Sequence, residues 1–169
     1  MFHIIKTGVE DAALFSEIIM RAYKNMEHKE WFALEDEDYI RNGLMEGRGL
    51  GYKAVESDTG TPAGVFLVVF PEEQDNLGRD CGMDPDSLSY VAHMDIAAVL
   101  PEFTGWGLQR KMMLYAEEEI RRKGYRHLMC TVHPDNRFSR NNVIKAGYRP
   151  VKTAYKYGGM LREIFLKNI

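Results

Sequence analysis

Cysteine is scarce in this chain. Two residues, Cys81 and Cys130, stand far apart in 169 positions and form no C-x-x-C pair. That excludes zinc held by cysteine pairs and makes a disulfide framework a poor reading, so reduced thiols are expected. Long apolar runs are missing as well. The longest, Val65 to Phe70, is far too short to cross a bilayer, and the N-terminal MFHIIKTGVED carries no signal-peptide core. These absences lead to the expectation of a cytoplasmic protein without membrane or metal. A charge excess is also lacking: 22 basic against 25 acidic side chains leave a net charge of −3. A general attraction to nucleic acid or to an anionic membrane is therefore not expected.

What remains is a composition suited to a soluble core: 45% hydrophobic and 28% charged residues, in a length that fits one domain spanning 1–169. The pattern along the chain sets the elements. FHIIK (2–6) is short and β-branched, a strand. Leu14, Ile18 and Ala22 then fall at helical spacing behind the acids Glu10 and Asp11. Residues 36–47 read as a second helix with Tyr39, Ile40 and Leu44 on its apolar side. GYKAVES and AGVFLVVF, joined by DTGTP, read as a hairpin; 71–87 reads as loop and 88–100 as a long strand. Residues 107–123 form the clearest helix, with Leu108, Met112, Ala116 and Ile120 four apart. HLMCTV, RFSRNNVIKAG, YRPVKTAYKY and LREIFLK follow as strand, helix, strand and strand, the helix stopping at Gly147. The order β-α-α-β-β-β-α-β-α-β-β implies an α+β fold: a mixed, mostly antiparallel sheet of about seven strands flanked by about four helices, with one parallel crossover over 88–132.

The stretch PEFTGWGLQRKMM (101–113) puts two glycines where a helix must begin. A first helical turn leaves about four N–H groups unpaired and adds positive potential. Glycines there let a bulky anion reach those amides, which is how main chain alone holds a diphosphate. A turn that merely needs positive φ is the plainer alternative. Neither G-x-G-x-x-G nor G-K-[ST] is present, so the loop belongs to neither of those nucleotide-binding types.

In VLPEFTGWGLQRKMM, Val99, Pro101, Gly107 and the following helix resemble the signature of the GNAT superfamily, the acyl-CoA-dependent N-acetyltransferases. Thr104 stands where Arg or Gln is usual and Gln109 where Gly or Ala is usual. VHPDNRFSRNNVIKAGY and the closing YKYGGMLREIFLK extend the resemblance over about 88–169. The resemblance implies acetyl-CoA as cosubstrate. Main chain at Ala97, Ala98 and Val99 would hold the pantetheine arm as a pseudo-strand. The backbone of Gly105, Trp106, Gly107, Leu108, Gln109 and Arg110 would hold the diphosphate and Asn136 would bond the pantetheine arm; Ser139 and Asn142 are further cofactor candidates, or else a helix-start hydrogen bond and an exposed polar face. It implies direct transfer of acetyl to a primary amine, on a small molecule or a peptide, in one ternary complex. A CoA-binding regulatory module without turnover is the alternative, and a homodimer is compatible with either.

Amine acetylation needs a proton acceptor. His93 and Asp95, two apart on a strand, share a face and are the expected catalytic pair. In relatives resembling aralkylamine N-acetyltransferases, histidines occupy both places. The alternative is that both side chains merely face solvent. The tyrosine usual in the family is Val143 here, leaving Tyr148, Tyr155 and Tyr157 as substitutes for a proton donor. Two segments, 27–38 and 70–87, each hold six acids and a single base. If both border the acceptor they favour cationic amines, with Trp31 and Phe32 lining the pocket; if not, they are solvated loop.

Overall fold

The computed structural model describes residues 1–169. Seven strands form one sheet: β1 (Phe2–Thr7), β2 (Gly49–Glu56), β3 (Pro62–Val69), β4 (Val91–Val99), β5 (His127–Val132), β6 (Arg149–Lys156) and β7 (Met160–Asn168), in spatial order β1-β2-β3-β4-β5-β7-β6. Five helices accompany it: α1 (Ala12–Lys24), α2 (Glu37–Leu44), α3 (Pro85–Leu88), α4 (Leu108–Arg122) and α5 (Arg137–Lys145). The α+β, mostly antiparallel architecture is as expected, and β4–β5 is its parallel pair. The expected loop 71–87 is more ordered than its polarity suggests. It contains short 3₁₀ turns and the one-turn α3, where Asp84 caps the helix through Ser87 N–H at 2.9 Å. That cap delays the start of β4 to Val91.

The sheet is covered on both faces, which is why β3 reads as an unbroken apolar run rather than an alternating one. Val65 and Leu67 pack with Phe15, Ile18 and Ile40 from α1 and α2. Phe66 and Val68 pack on the other side with Leu108, Met112, Ala116 and Ile120, the helical repeat of α4. Fully burying a phenylalanine such as Phe15, Phe66 or Phe165 contributes about 1.5–3 kcal/mol each. Segment Leu77–Cys81 covers the rest of the first face, where Leu77 meets Val91, Met129, Ile164 and Leu166. No helix is long and apolar enough to cross a membrane.

Two irregularities in β4 shape the site. Its pairing with β5 ends at His93↔Met129, so the two strands separate beyond that point. Its register with β3 runs Val68↔Met94 and then Leu67↔Ile96, which leaves Asp95 as the extra residue of a bulge. Bulges of this kind re-aim a side chain and often sit beside functional sites.

Candidate active site

The separated strands open a cavity of about 980 Å³. Leu100 N–H bonds to Ala63 on β3 at 2.8 Å, so by strand alternation Ala98 also faces β3. Ala97 and Val99 therefore turn their N–H and C=O groups into the gap. The cavity continues to the start of α4. Gly105 and Gly107 hold φ of +86° and +68°, a region that side chains with a Cβ rarely enter. A Cβ at Gly105 would meet nothing within 4 Å, and one at Gly107 only Arg110 Nη2 at 3.9 Å. The glycines are thus required by conformation, and they also leave the loop bare. No side chain caps α4, and the first internal acceptor there, Gly107 C=O, takes Lys111 N–H. The amides from Gly105 to Arg110 have no protein acceptor. The two readings of the loop are compatible: positive φ is needed, and the same loop presents free amides to an anion.

Every residue expected to hold the cosubstrate lines this one cavity. The polar side chains among them are cross-linked. Gln109 Nε2 donates to Ser139 Oγ at 3.0 Å and Asn142 Nδ2 donates to Gln109 Oε1 at 3.4 Å, tying α4 to α5. Asn136 caps α5 by accepting Ser139 N–H at 3.2 Å, which leaves its Nδ2 free. The glutamine that replaces a small residue in the family signature therefore serves as a brace between the two helices. Thr104 turns its hydroxyl back to Pro101 C=O at 2.9 Å.

Of the pair expected to handle the amine proton, the cavity holds only Asp95. Both residues lie on the α1/α2 side of the sheet, under different covers. His93 sits where β4 is still paired on both sides, beneath Leu77, and is 8% exposed. Its Nε2 accepts Leu77 N–H at 3.1 Å. Burial, aided by the nearby Lys156 charge, pulls its pKa down to about 4, so the ring is neutral. Asp95 lies past the point where β5 leaves. Desolvation pushes its carboxyl up to about 6, against the Tyr39 hydrogen bond that favours the anion; the Glu35 charge pushes the same way as burial.

The rest of the cavity lining was only partly readable from sequence. Trp31 and Phe32 belong to it, as do Glu27 and Glu35 from the first acidic segment. No residue of 70–87 does: Asp80 there pairs with Lys156 at 3.0 Å and Asp84 is spent as a cap. Tyr39, Thr131 and Arg162 are site residues that sequence reasoning missed; Tyr39 read only as the apolar side of a helix. Among the three substitute tyrosines, Tyr155 is 73% exposed and Tyr148 is buried with an unpartnered hydroxyl; neither reaches the cavity. Tyr157 does. It is the one non-glycine at positive φ, +53°, and its hydroxyl bonds Thr131 Oγ1 at 2.9 Å. Val143, in the usual tyrosine position, belongs to the core and also lines the cavity.

A sheet opened beside its parallel pair, with bare amides at the next helix start, defines an acyl-CoA-binding acetyltransferase fold. The chain belongs to the acetyltransferase (GNAT) family, whose model matches residues 13–148. No curated protein sequence is close enough to match it. Solved structures are similar in fold across nearly the whole chain. The ribosomal-protein-S18-alanine N-acetyltransferase of Escherichia coli is 17% identical with a TM-score of 0.71, over 100% of this chain and 94% of that one. YncA from Salmonella typhimurium, solved with its cofactor acetyl-CoA, is 17% identical with a TM-score of 0.73, over 99% and 94%. An N-acetyltransferase from Staphylococcus aureus Mu50 is 16% identical with a TM-score of 0.70, over 99% and 98%.

Proposed function

We propose that the protein transfers acetyl from acetyl-CoA to a primary amine by direct attack in a ternary complex. One observation carries this reading: the unpaired main chain of Ala97 and Val99, the free amides of Gly105 to Arg110 and the desolvated Asp95 carboxylate share a single cavity. Acetyl-CoA supplies an activated acyl thioester. The chain's own work is to position and to move protons. Amides at the start of α4 suit the diphosphate, with Arg110 and Lys145 as cations at the same cavity. The gap between β4 and β5 suits the pantetheine arm.

An acceptor amine arrives as an ammonium. Asp95, ionised at pH 7 and without a basic partner, attracts it and takes a proton, freeing the nitrogen lone pair to form the amide bond. The C–S bond of the tetrahedral intermediate then breaks, the sulfur leaves as thiolate, and the nitrogen's second proton passes by way of Tyr157 to that sulfur, so CoA departs as the free thiol and Tyr157 regains its proton. Tyr157, whose pKa burial pushes up to about 12, holds its proton at every working pH and stands as the donor to that sulfur. His93 lies outside this route. The relatives that acetylate alanine on ribosomal proteins S18 and S5 likewise have amine acceptors, which agrees with the reading.

The test is acetyl-dependent thiol release across a panel of amines, set beside CoA binding by calorimetry. Turnover with at least one amine, lost in Asp95→Asn, is the expected result. CoA binding with no turnover on any amine supports the regulatory module instead.

A further inference from the structure

Arg162 is a buried cation with nothing to neutralise it. It is 2% exposed, yet it lines the cavity. Of its five N–H donors, three have no protein acceptor; one on Nη1 bonds Leu161 C=O at 2.7 Å and one on Nη2 meets Met160 Sδ at 3.6 Å. Neither is an anion, and no carboxylate acts on its charge. Its guanidinium lies 5.9 Å from the centroid of the Tyr157 ring. Burying a guanidinium without a counter-charge is unfavourable unless something supplies one.

Asp95 is the mirror case on the same cavity: a desolvated carboxylate held by Tyr39, with no cation beside it. The two share one face of the sheet. Ile164 and Leu166 on β7 pack under Leu77, and Arg162 has their parity. Asp95 reaches α2 on that same side. Thr131 of β5 and Tyr157, joined by their hydroxyls, stand between the two charges. The opposite charges do not pair with each other, so each is left for a ligand.

We infer that the acceptor is an amine carrying a carboxylate, of the amino-acid class, with its ammonium on Asp95 and its carboxylate on the Arg162 guanidinium. This rests on the N-acetyltransferase reading and narrows it. Arginine suits the task because its planar fork meets a carboxylate through two parallel hydrogen bonds. The acidic residues Glu27 and Glu35 on the cavity wall attract any cation; only Arg162 selects among them by a second, negative group.

The experiment uses matched pairs that differ by the carboxylate: phenylalanine with phenethylamine, and methionine with 3-(methylthio)propylamine, together with spermidine. Affinity for the full chain loaded with CoA is measured by calorimetry, and kcat/KM by thiol release with acetyl-CoA. The carboxylate member of a pair binds about tenfold or more tighter. In Arg162→Gln that ratio falls to within about threefold of unity, while Arg162→Lys keeps part of it. The wild-type ratio decides even where a variant does not fold. Equal or better binding of the bare amines or spermidine, no binding of either amino acid, or a ratio that survives Arg162→Gln overturns the inference. Turnover of bare amines without a carboxylate preference removes this inference and leaves N-acetyl transfer standing. A carboxylate preference in binding with no turnover on any amine removes N-acetyl transfer and the acceptor assignment with it, and leaves an amino-acid ligand held by Asp95 and Arg162.

Discussion

The hydroxyl of Tyr39 donates to Oδ2 of Asp95 at 2.8 Å. Asp36 sets this up from three residues upstream by capping α2 through Tyr39 N–H, also at 2.8 Å. A hydrogen bond to a carboxylate favours its ionised form. Tyr39 therefore restrains a pKa that burial has already lifted to about 6. Tyr39→Phe is expected to raise it further, by about one unit or somewhat more for a bond of about 1.5–3 kcal/mol. The acid limb of kcat/KM moves up the pH scale accordingly, and activity lost at pH 7 returns at pH 8–9. A purely structural defect lowers the whole profile without shifting the limb, so the profile separates the two.

Asp95→Asn removes the proton acceptor. Turnover is expected to fall by about 10²–10⁴ and the limb near pH 6 to vanish. Stability moves the opposite way. The folded-state pKa lies above the ordinary 3.8, so ionising Asp95 opposes folding. That penalty is absent below about pH 4, grows up to about pH 6 and is complete above it, reaching about 3 kcal/mol at most. At pH 7 the asparagine variant is therefore expected to be more stable than wild type in urea denaturation and less active. An asparagine variant that is both less stable and still active sinks the assignment.

His93 makes a contrasting case. Its folded pKa of about 4 lies below the ordinary 6.5, so the unfolded chain takes up the proton first. Stability from this group is present above about pH 6.5 and is lost as pH falls toward 4, by about 3 kcal/mol in all. Replacing the ring orphans Leu77 N–H, so His93→Ala is expected to lose about 1–3 kcal/mol at pH 7 and to flatten the acid dependence of unfolding. The limb of kcat/KM near pH 6 stays in place, because it belongs to Asp95. Loss of that limb in His93→Ala returns the histidine to the proton route.

The two residues also show what a sequence can and cannot convey. Strand parity correctly puts His93 and Asp95 on one side of the sheet. It cannot show that β5 parts from β4 just after His93, nor that a bulge singles out Asp95, because both depend on pairing with distant strands. The α4 entry was legible because its glycines act locally. Arg162 was not: it reads as an ordinary charge in LREIFLK, and its burial at the cavity follows from the pairing of β7 between β5 and β6, strands distant from it in sequence or facing it across a turn. The acidic run 70–87 looked like part of an acceptor site for the opposite reason. Asp84 is used as a helix cap and Asp80 in an ion pair with Lys156, and no residue of the run lines the cavity.

Gly107 allows conformation and ligand contact to be tested separately. At φ +68° any L side chain is strained, by about 1–2 kcal/mol. The space around its missing Cβ is open apart from Arg110 Nη2 at 3.9 Å, so a Cβ there strains the backbone without itself clashing in the free protein. Gly60, in the β2–β3 turn, has φ +72° and nothing within 4 Å, and it lies outside the cavity. Gly60→Val and Gly107→Val should thus lose similar stability. Only Gly107→Val should lose CoA, by about tenfold or more in calorimetric affinity, because its side chain stands where the diphosphate must approach the amides. Equal CoA affinity in the two folded variants refutes an anion site at the start of α4. A loss in both assigns the effect to strain rather than to contact.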